Sequence, residues 1–172
     1  MQVRPTSDRL RETLFNILAP RIQEARFLDL CAGSGAVGIE ALSRGATHST
    51  FVDRSRKMCA LVQANLDLCK IPNEQNEVVT SEVNDFLKRQ LKQNSESWDM
   101  IFYDPPYAED YLHVLNLIGK NSDVLLQTDG IVIVEHHHKN ELGEEFGSIM
   151  RTRIRKQGDS ALSFYQRQKS ED

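Results

Sequence analysis

The sequence predicts an α/β fold, a mostly parallel, doubly wound sheet finished by an antiparallel hairpin. Three observations carry that expectation. Short apolar runs alternate with stretches of helical periodicity through most of the chain, a glycine-rich turn joins the first such run to a helix, and the last quarter switches to two-residue alternation. The 172 residues suit a single domain, expected over residues 1–172 with residues 1–20 as an N-terminal segment and helix.

The elements follow in order. Leu10, Leu14, Ile17 and Leu18 share one face of a first helix, with Thr6-Ser7-Asp8 as its cap candidates and Pro20 as its stop. Residues 26–30 read as a strand, followed by the glycine turn and a helix to about Arg44. Strands are predicted at 49–52, 77–80, 100–103 and 130–135, and helices towards Leu68, around 85–91 and near 111–118. Residues 149–156 and 161–167 then alternate around Gln157-Gly158-Asp159-Ser160, which is turn material, and read as the hairpin.

Composition narrows the class. The chain is 40% hydrophobic and 27% charged, as soluble globular proteins are. No apolar run approaches the roughly 20 residues that span a bilayer, and the first residues carry no apolar signal region, so no membrane association and a cytoplasmic location are expected. Cys31, Cys59 and Cys69 lack metal-type spacing and read as free, small apolar fillers. The net charge of −4 argues against a broad nucleic-acid grip but leaves room for local basic patches, at Arg4, Arg9 and Arg11 and again at Arg151, Arg153, Arg155 and Lys156.

Residues 28–38, Leu-Asp-Leu-Cys-Ala-Gly-Ser-Gly-Ala-Val-Gly, hold a G-x-G-x-x-G between strand and helix. Such a loop first suggests a dinucleotide, and Asp53 stands about 20 residues on, where an acid would take a ribose hydroxyl. Asp29 separates the candidates. A pyrophosphate prefers the positive helix N-terminus without a carboxylate beside it. S-adenosylmethionine has no phosphate and carries an ammonium and a sulfonium, so it suits an acid there. The structural alternatives are an acceptor of loop amides for Asp29 and a helix cap for Asp53.

Asp104-Pro105-Pro106-Tyr107 follows an apolar strand, which puts it at the carboxyl edge of the sheet, where open α/β sheets bind ligands. Two prolines stiffen the segment and leave carbonyl acceptors without N–H donors. An exocyclic amine of a base is a poor nucleophile until acceptors take both its protons. The Asp104 carboxylate and the Pro105 carbonyl are such acceptors, and Tyr107 could stack on the base. A turn after a strand is the bland alternative.

At this point the residues resemble a known family, the bacterial RsmD-type methyltransferases. Arg4-Pro5-Thr6, Asp8, Arg11-Glu12 and Leu14-Phe15-Asn16 resemble its opening signature. The stretch from Leu28 to Ala46 is similar to its cofactor loop and helix, the Asp104–Tyr107 segment to its catalytic segment, and Tyr165-Gln166-Arg167 to its last strand. The resemblance implies a seven-stranded Rossmann-like methyltransferase sheet and transfer from S-adenosylmethionine, leaving S-adenosylhomocysteine, to the N2 amine of a guanine in 16S ribosomal RNA. The partner would be that RNA or a small-subunit assembly intermediate, met by a monomer. It also implies cofactor contacts at Asp29, Ala32, Gly33, Gly35, Asp53, Arg54, Glu82 and Val83, the family more commonly having Asp where Glu82 stands. The catalytic set is Asp104, Pro105, Pro106 and Tyr107, and Arg4, Thr6, Arg9, Arg151 and Arg153 are RNA candidates. Family members usually carry a short basic arm before the Arg-Pro-Thr segment, and here only Met1-Gln2-Val3 precede it.

Some features are set aside. His136-His137-His138 reads as a solvated strand end, since consecutive residues of a strand point to opposite faces, and no metal is expected. Arg151, Arg153 and Arg155 should alternate onto one face, either towards phosphates or as a charged edge. Trp98 reads as packing. Competing functions are methylation of adenine N6 or cytosine N4 in RNA or DNA, a nicotinamide-dependent oxidoreductase, and a non-catalytic RNA-binding module.

Overall fold

Ser7 starts the first helix. Its hydroxyl accepts from the Leu10 amide at 3.1 Å, and helix α1 runs Asp8–Leu18. Its buried face is Leu10, Leu14, Phe15 and Leu18, with Ile17 at the half-buried margin. The computed structural model describes residues 7–93, 95–106 and 110–168; Arg4, Thr6 and Tyr107, named above, lie outside them.

The chain continues β1 (Arg26–Leu30), α2 (Ala36–Ser43), β2 (His48–Asp53), α3 (Arg56–Leu68), β3 (Asn76–Thr80), α4 (Val83–Gln93) and β4 (Trp98–Tyr103). Then come α5 (Asp110–Lys120), α6 (Ser122–Leu125), β5 (Leu126–His137), β6 (Glu145–Phe146), β7 (Ile149–Gln157) and β8 (Ser160–Arg167). One sheet takes the order β3-β2-β1-β4-β5-β8-β7-β6. Strands β1 to β5 are parallel, while β8, β7 and β6 add on antiparallel. Among the described residues the sheet thus has eight strands where seven were expected. The addition is β6, two residues long, which pairs with β7 through Phe146 and Ile149. The short helix α6 was also unforeseen, and β5 begins four residues earlier than predicted.

The register sorts side chains onto the two faces of the sheet. Leu28, Ile101, Val132 and Tyr165 stand side by side and face α4 and α5, through Phe86, Leu87, Val114, Leu115 and Ile118. Phe27, Met100, Phe102, Ile133 and Phe164 face α1 and α2. Each buried side chain of this size contributes about 1.5–3 kcal/mol. Trp98 is buried against Phe86, with ring centroids 5.9 Å apart. Cys59 is a buried filler, but Cys69, at the exposed C-cap of α3, is not.

A bulge changes the reading of β7. Its register slips between Arg151 and Arg153, so Arg151 stands opposite Tyr165 and Arg153 opposite Phe164. Those two β8 residues point into different cores. The expected one-sided row of arginines is therefore broken: Arg153 and Arg155 face α1, and Arg151 faces the other way. There its guanidinium donates to the Leu142 carbonyl at 3.4 Å and stands 3.9 Å from Glu144.

His136 is likewise not a solvated strand end. It is 4% exposed, because β8 pairs alongside, and its Nε2 lies 2.8 Å from Ser163 Oγ. Burial is the main reason its pKa lies below the usual histidine value.

Candidate active site at the carboxyl edge of the sheet

The loop after β1 turns sharply at Cys31 (φ 61°) and Gly33 (φ 57°), both in the left-handed region. For a cysteine that conformation costs on the order of 1 kcal/mol. The glycines divide their roles. A Cβ at Gly33 would meet nothing within 4 Å, so the backbone there borders open space. A Cβ at Gly38 would lie 2.4 Å from Phe51 Cε1, so this glycine lets α2 sit down on β2.

Two acids tie the loop to the strands. Asp53, at the end of β2, accepts from the Gly33 amide at 3.0 Å and the Ser55 amide at 2.9 Å. The cap of α3 is Ser55, whose hydroxyl accepts from Met58 N at 3.2 Å, so Asp53 does not serve as that cap. Asp29 is 1% exposed, and its Oδ2 accepts from the Gly38 amide at 3.0 Å. This is the amide-acceptor role considered above, made with the first turn of α2. Burial lifts the Asp29 carboxyl well above the usual carboxylate range, with the Gly38 N–H opposing and the Asp53 charge adding to it.

The remaining expected cofactor residues gather nearby. Ala32 is half-buried, its amide donating to Val52 O at 3.0 Å, and Gly35 (φ 83°) is the N-cap of α2. Arg54 is exposed just past Asp53. Ser81 N donates to Asp53 O at 3.0 Å, which brings the end of β3, with exposed Glu82 and then Val83 at the start of α4, beside the end of β2.

Asp104 lies one residue beyond β4. Tyr103 pairs with Leu30 on one side and with Val134 on the other, so Asp104 stands between the glycine loop and Glu135. Pro105 is buried and Pro106 exposed. The pairing of Tyr103 with Val134 sets Asp104 next to Glu135. Burial, then the Glu135 carboxyl, then Asp29 hold the Asp104 pKa well above the usual range. Tyr111 Oη donates to the Glu135 carbonyl at 3.1 Å, and burial, then Asp104 and Glu135, push its own pKa further up. Among the described residues, the charges acting on Asp104 come from the Glu135 and Asp29 carboxyls. Such an edge favours a cation.

Sequence reasoning had Glu135 only as the end of a strand and Tyr111 only as part of a helix. The usable sign was an acid closing the apolar run Ile131-Val132-Ile133-Val134 at the same edge as Asp104. The expected RNA residues are spread out. Arg9 is exposed on α1, and Arg153 lines a cavity of about 320 Å³ with Thr13, Asn16, Ile17 and Arg155. Arg151 lies on the opposite face.

The histidines also depart from expectation. β5 ends at His137 and the chain turns at His138, so their rings stack with centroids 4.7 Å apart instead of pointing to opposite faces. Donor atoms of His137, His138 and Asp159 come within 4.8 Å of one another. His137 Nδ1, however, accepts from the Lys139 amide at 3.1 Å, so a neutral ring carries its hydrogen on Nε2 and has no spare lone pair. No helix among the described residues is long and apolar enough to cross a membrane.

Comparison with known proteins extends this picture. The model of a family described as conserved hypothetical protein 95 matches residues 1–166. The chain is 36% identical over 167 residues to ribosomal RNA small subunit methyltransferase D of Escherichia coli strain K12, covering 96% of this chain and 80% of that protein. It is 39% identical over 134 residues to the protein of the same name from Haemophilus influenzae, covering 74% and 68%. Among solved structures, a conserved hypothetical protein of Streptococcus pyogenes superimposes with a TM-score of 0.81 at 27% identity, covering 92% of this chain and 95% of that one.

Proposed function

The chain belongs to the conserved hypothetical protein 95 family, shared with the ribosomal RNA small subunit methyltransferases D, and we propose that it transfers a methyl group from S-adenosylmethionine to the N2 amine of a guanine in 16S ribosomal RNA. One observation carries the reading. The glycine loop and the Asp104-Pro105 segment follow adjacent parallel strands, paired through Leu30 and Tyr103, at an edge that gathers the carboxyls of Asp29, Asp104 and Glu135. An acid-lined edge repels a pyrophosphate and attracts a ligand bearing an ammonium and a sulfonium.

The residues fit that cofactor. The open space at Gly33 admits a ligand against the backbone. Asp53 uses two of its roughly four acceptor positions on amides and keeps the others for ribose hydroxyls. In this reading Glu82 accepts from an adenine amine, with Val83, Ala32, Gly35 and Arg54 around the same edge, while Asp29 braces the loop against α2. S-adenosylmethionine supplies an electrophilic methyl group on a positively charged sulfur.

The rest is done by the protein. Asp104 and the Pro105 carbonyl take the two amine hydrogens, so the nitrogen can pyramidalise and aim its lone pair. Pro106 keeps the segment stiff, and Tyr107 stacks on the base. With S-adenosylmethionine bound, Asp104 and the Pro105 carbonyl would hold the amine towards the methyl group, and the proton the amine releases would pass to water. Arg4, Thr6, Arg9 and Arg153 are the contacts proposed for RNA, and a single domain acts as a monomer. The base must be unpaired or flipped out to reach the pocket.

The test is transfer of tritiated methyl from S-adenosylmethionine to small ribosomal subunits and to naked 16S RNA lacking the modification, followed by mapping of the product. Methylguanosine labelled at N2 is expected. Label at adenine N6 or cytosine N4 would replace the guanine assignment. Stabilisation by NAD with none by S-adenosylhomocysteine would overturn the methyltransferase reading.

A further inference from the structure

Nothing in the mechanism above uses Glu135, yet it is 8% exposed at the edge where the reaction is placed. The parallel pairing of Tyr103 with Val134 sets the next residues, Asp104 just past β4 and Glu135 within β5, side by side, so that each carboxyl group lies in the field of the other. Two carboxyl groups set side by side away from water cannot both ionise without strong repulsion, and one proton held between them relieves it. The surroundings favour keeping that proton. Asp29 adds negative charge from β1, Tyr111 and Cys31 bring an oxygen and a sulfur acid, and the β8 neighbours of Glu135 and His136 are the apolar Leu162 and Ala161. The neighbouring His136 is buried against Ser163 and is disfavoured as a cation.

We propose that Glu135 is a positioning residue for methyl transfer: it shares one proton with Asp104, and this bond fixes Asp104 so that its other oxygen, with the Pro105 carbonyl, faces the substrate amine. The inference rests on the function proposed above. An unheld Asp104 would turn between amine and water, and a pair stripped of its proton would push its two carboxylates apart. Tyr111 steadies the arrangement from behind by donating to the Glu135 carbonyl at 3.1 Å. Glutamine at position 135 can still donate to an Asp104 carboxylate but cannot lose that hydrogen.

Methyl transfer to RNA is therefore measured across pH for wild type, Glu135→Gln and Glu135→Ala. Glu135→Ala should lower kcat by on the order of tenfold or more with KM for RNA little changed, because a misaimed Asp104 loses part of the positioning of the amine. Glu135→Gln should recover most of that loss at neutral pH. Wild-type kcat should fall on the alkaline side as the pair loses its proton, and that fall should be absent in Glu135→Gln. Difference infrared spectroscopy of the unliganded proteins gives a readout independent of turnover: a carboxylic acid C=O band present in wild type at neutral pH and missing from Glu135→Gln. Identical infrared spectra, an alkaline fall persisting in Glu135→Gln, or wild-type kcat in Glu135→Ala would each overturn the inference. Wild type that methylates no RNA, with the infrared difference present, would count against the proposed function and leave the shared proton standing.

Discussion

The two acidic corners of this sheet edge are built in opposite ways. At the glycine-loop corner each acid is met by backbone N–H groups, Asp29 by Gly38 and Asp53 by Gly33 and Ser55. At the β4–β5 corner Asp104 and Glu135 meet each other. Amide donors come with the fold and hold a loop in one shape whatever is bound. A carboxyl facing a carboxyl depends on a proton and responds to charge. The first corner is suited to holding a ligand and the second to acting on one.

The largest effect that tests this contrast is on rate. Asp104→Ala should lower kcat by on the order of 10²–10⁴. It should leave thermal stability unchanged or raised, because a crowded buried acid has been removed; a large fall in Tm would mean the β4–β5 corner is structural after all. Gly38→Ala probes the other corner. Its Cβ would press on the buried Phe51 ring, so a loss of about 1–3 kcal/mol is expected in urea unfolding, with weaker binding of S-adenosylhomocysteine because the Gly38 amide also holds Asp29.

The pH response comes next. Asp104 is held well above the usual carboxylate range. Between that range and its raised pKa the folded chain keeps a proton that the unfolded chain has released, so stability falls as pH rises. Asp29 acts with the same sign. His136, held low, costs stability as pH falls through the usual histidine pKa. Asp104→Asn should therefore flatten the decline in unfolding free energy from mild acid towards neutrality, measured by urea titration at several pH values; an unchanged slope would remove Asp104 from that list.

Smallest is Ser55→Ala. It deletes the hydroxyl that caps α3 but keeps the Ser55 amide on Asp53. A cost of about 1 kcal/mol is expected, with binding of S-adenosylhomocysteine unchanged; weakened binding would show that the amide contacts alone do not hold this corner.

What was legible in the sequence divides along a physical line. The strand–loop–helix order, a cap within Thr6-Ser7-Asp8, the hairpin, and the placing of Asp104 beside the glycine loop all follow from local patterns and from the crossover rule for parallel strands. What could not be read depends on partners distant in the chain. β6 exists because Phe146 finds Ile149 and the core around Tyr165. His136 is buried because β8 runs beside it. The likeness of Arg151 and Arg153 in sequence conceals a slip in pairing that only the β8 register creates. Glu135 is the intermediate case: the acid was visible at the end of an apolar run, but its pairing with Asp104 needed the β4–β5 alignment.

The bulge in β7 has a consequence for how the strand tolerates changes of length. Elsewhere in a strand, removing one residue turns everything beyond it inside out. Here Thr152 is the residue passed over between the Arg151–Tyr165 and Arg153–Phe164 pairs. Its deletion would leave Arg153, Ile154 and Arg155 on the faces they already occupy. Thr152 is the position in β7 where the chain can be shortened by a residue without exchanging a single pair of neighbours.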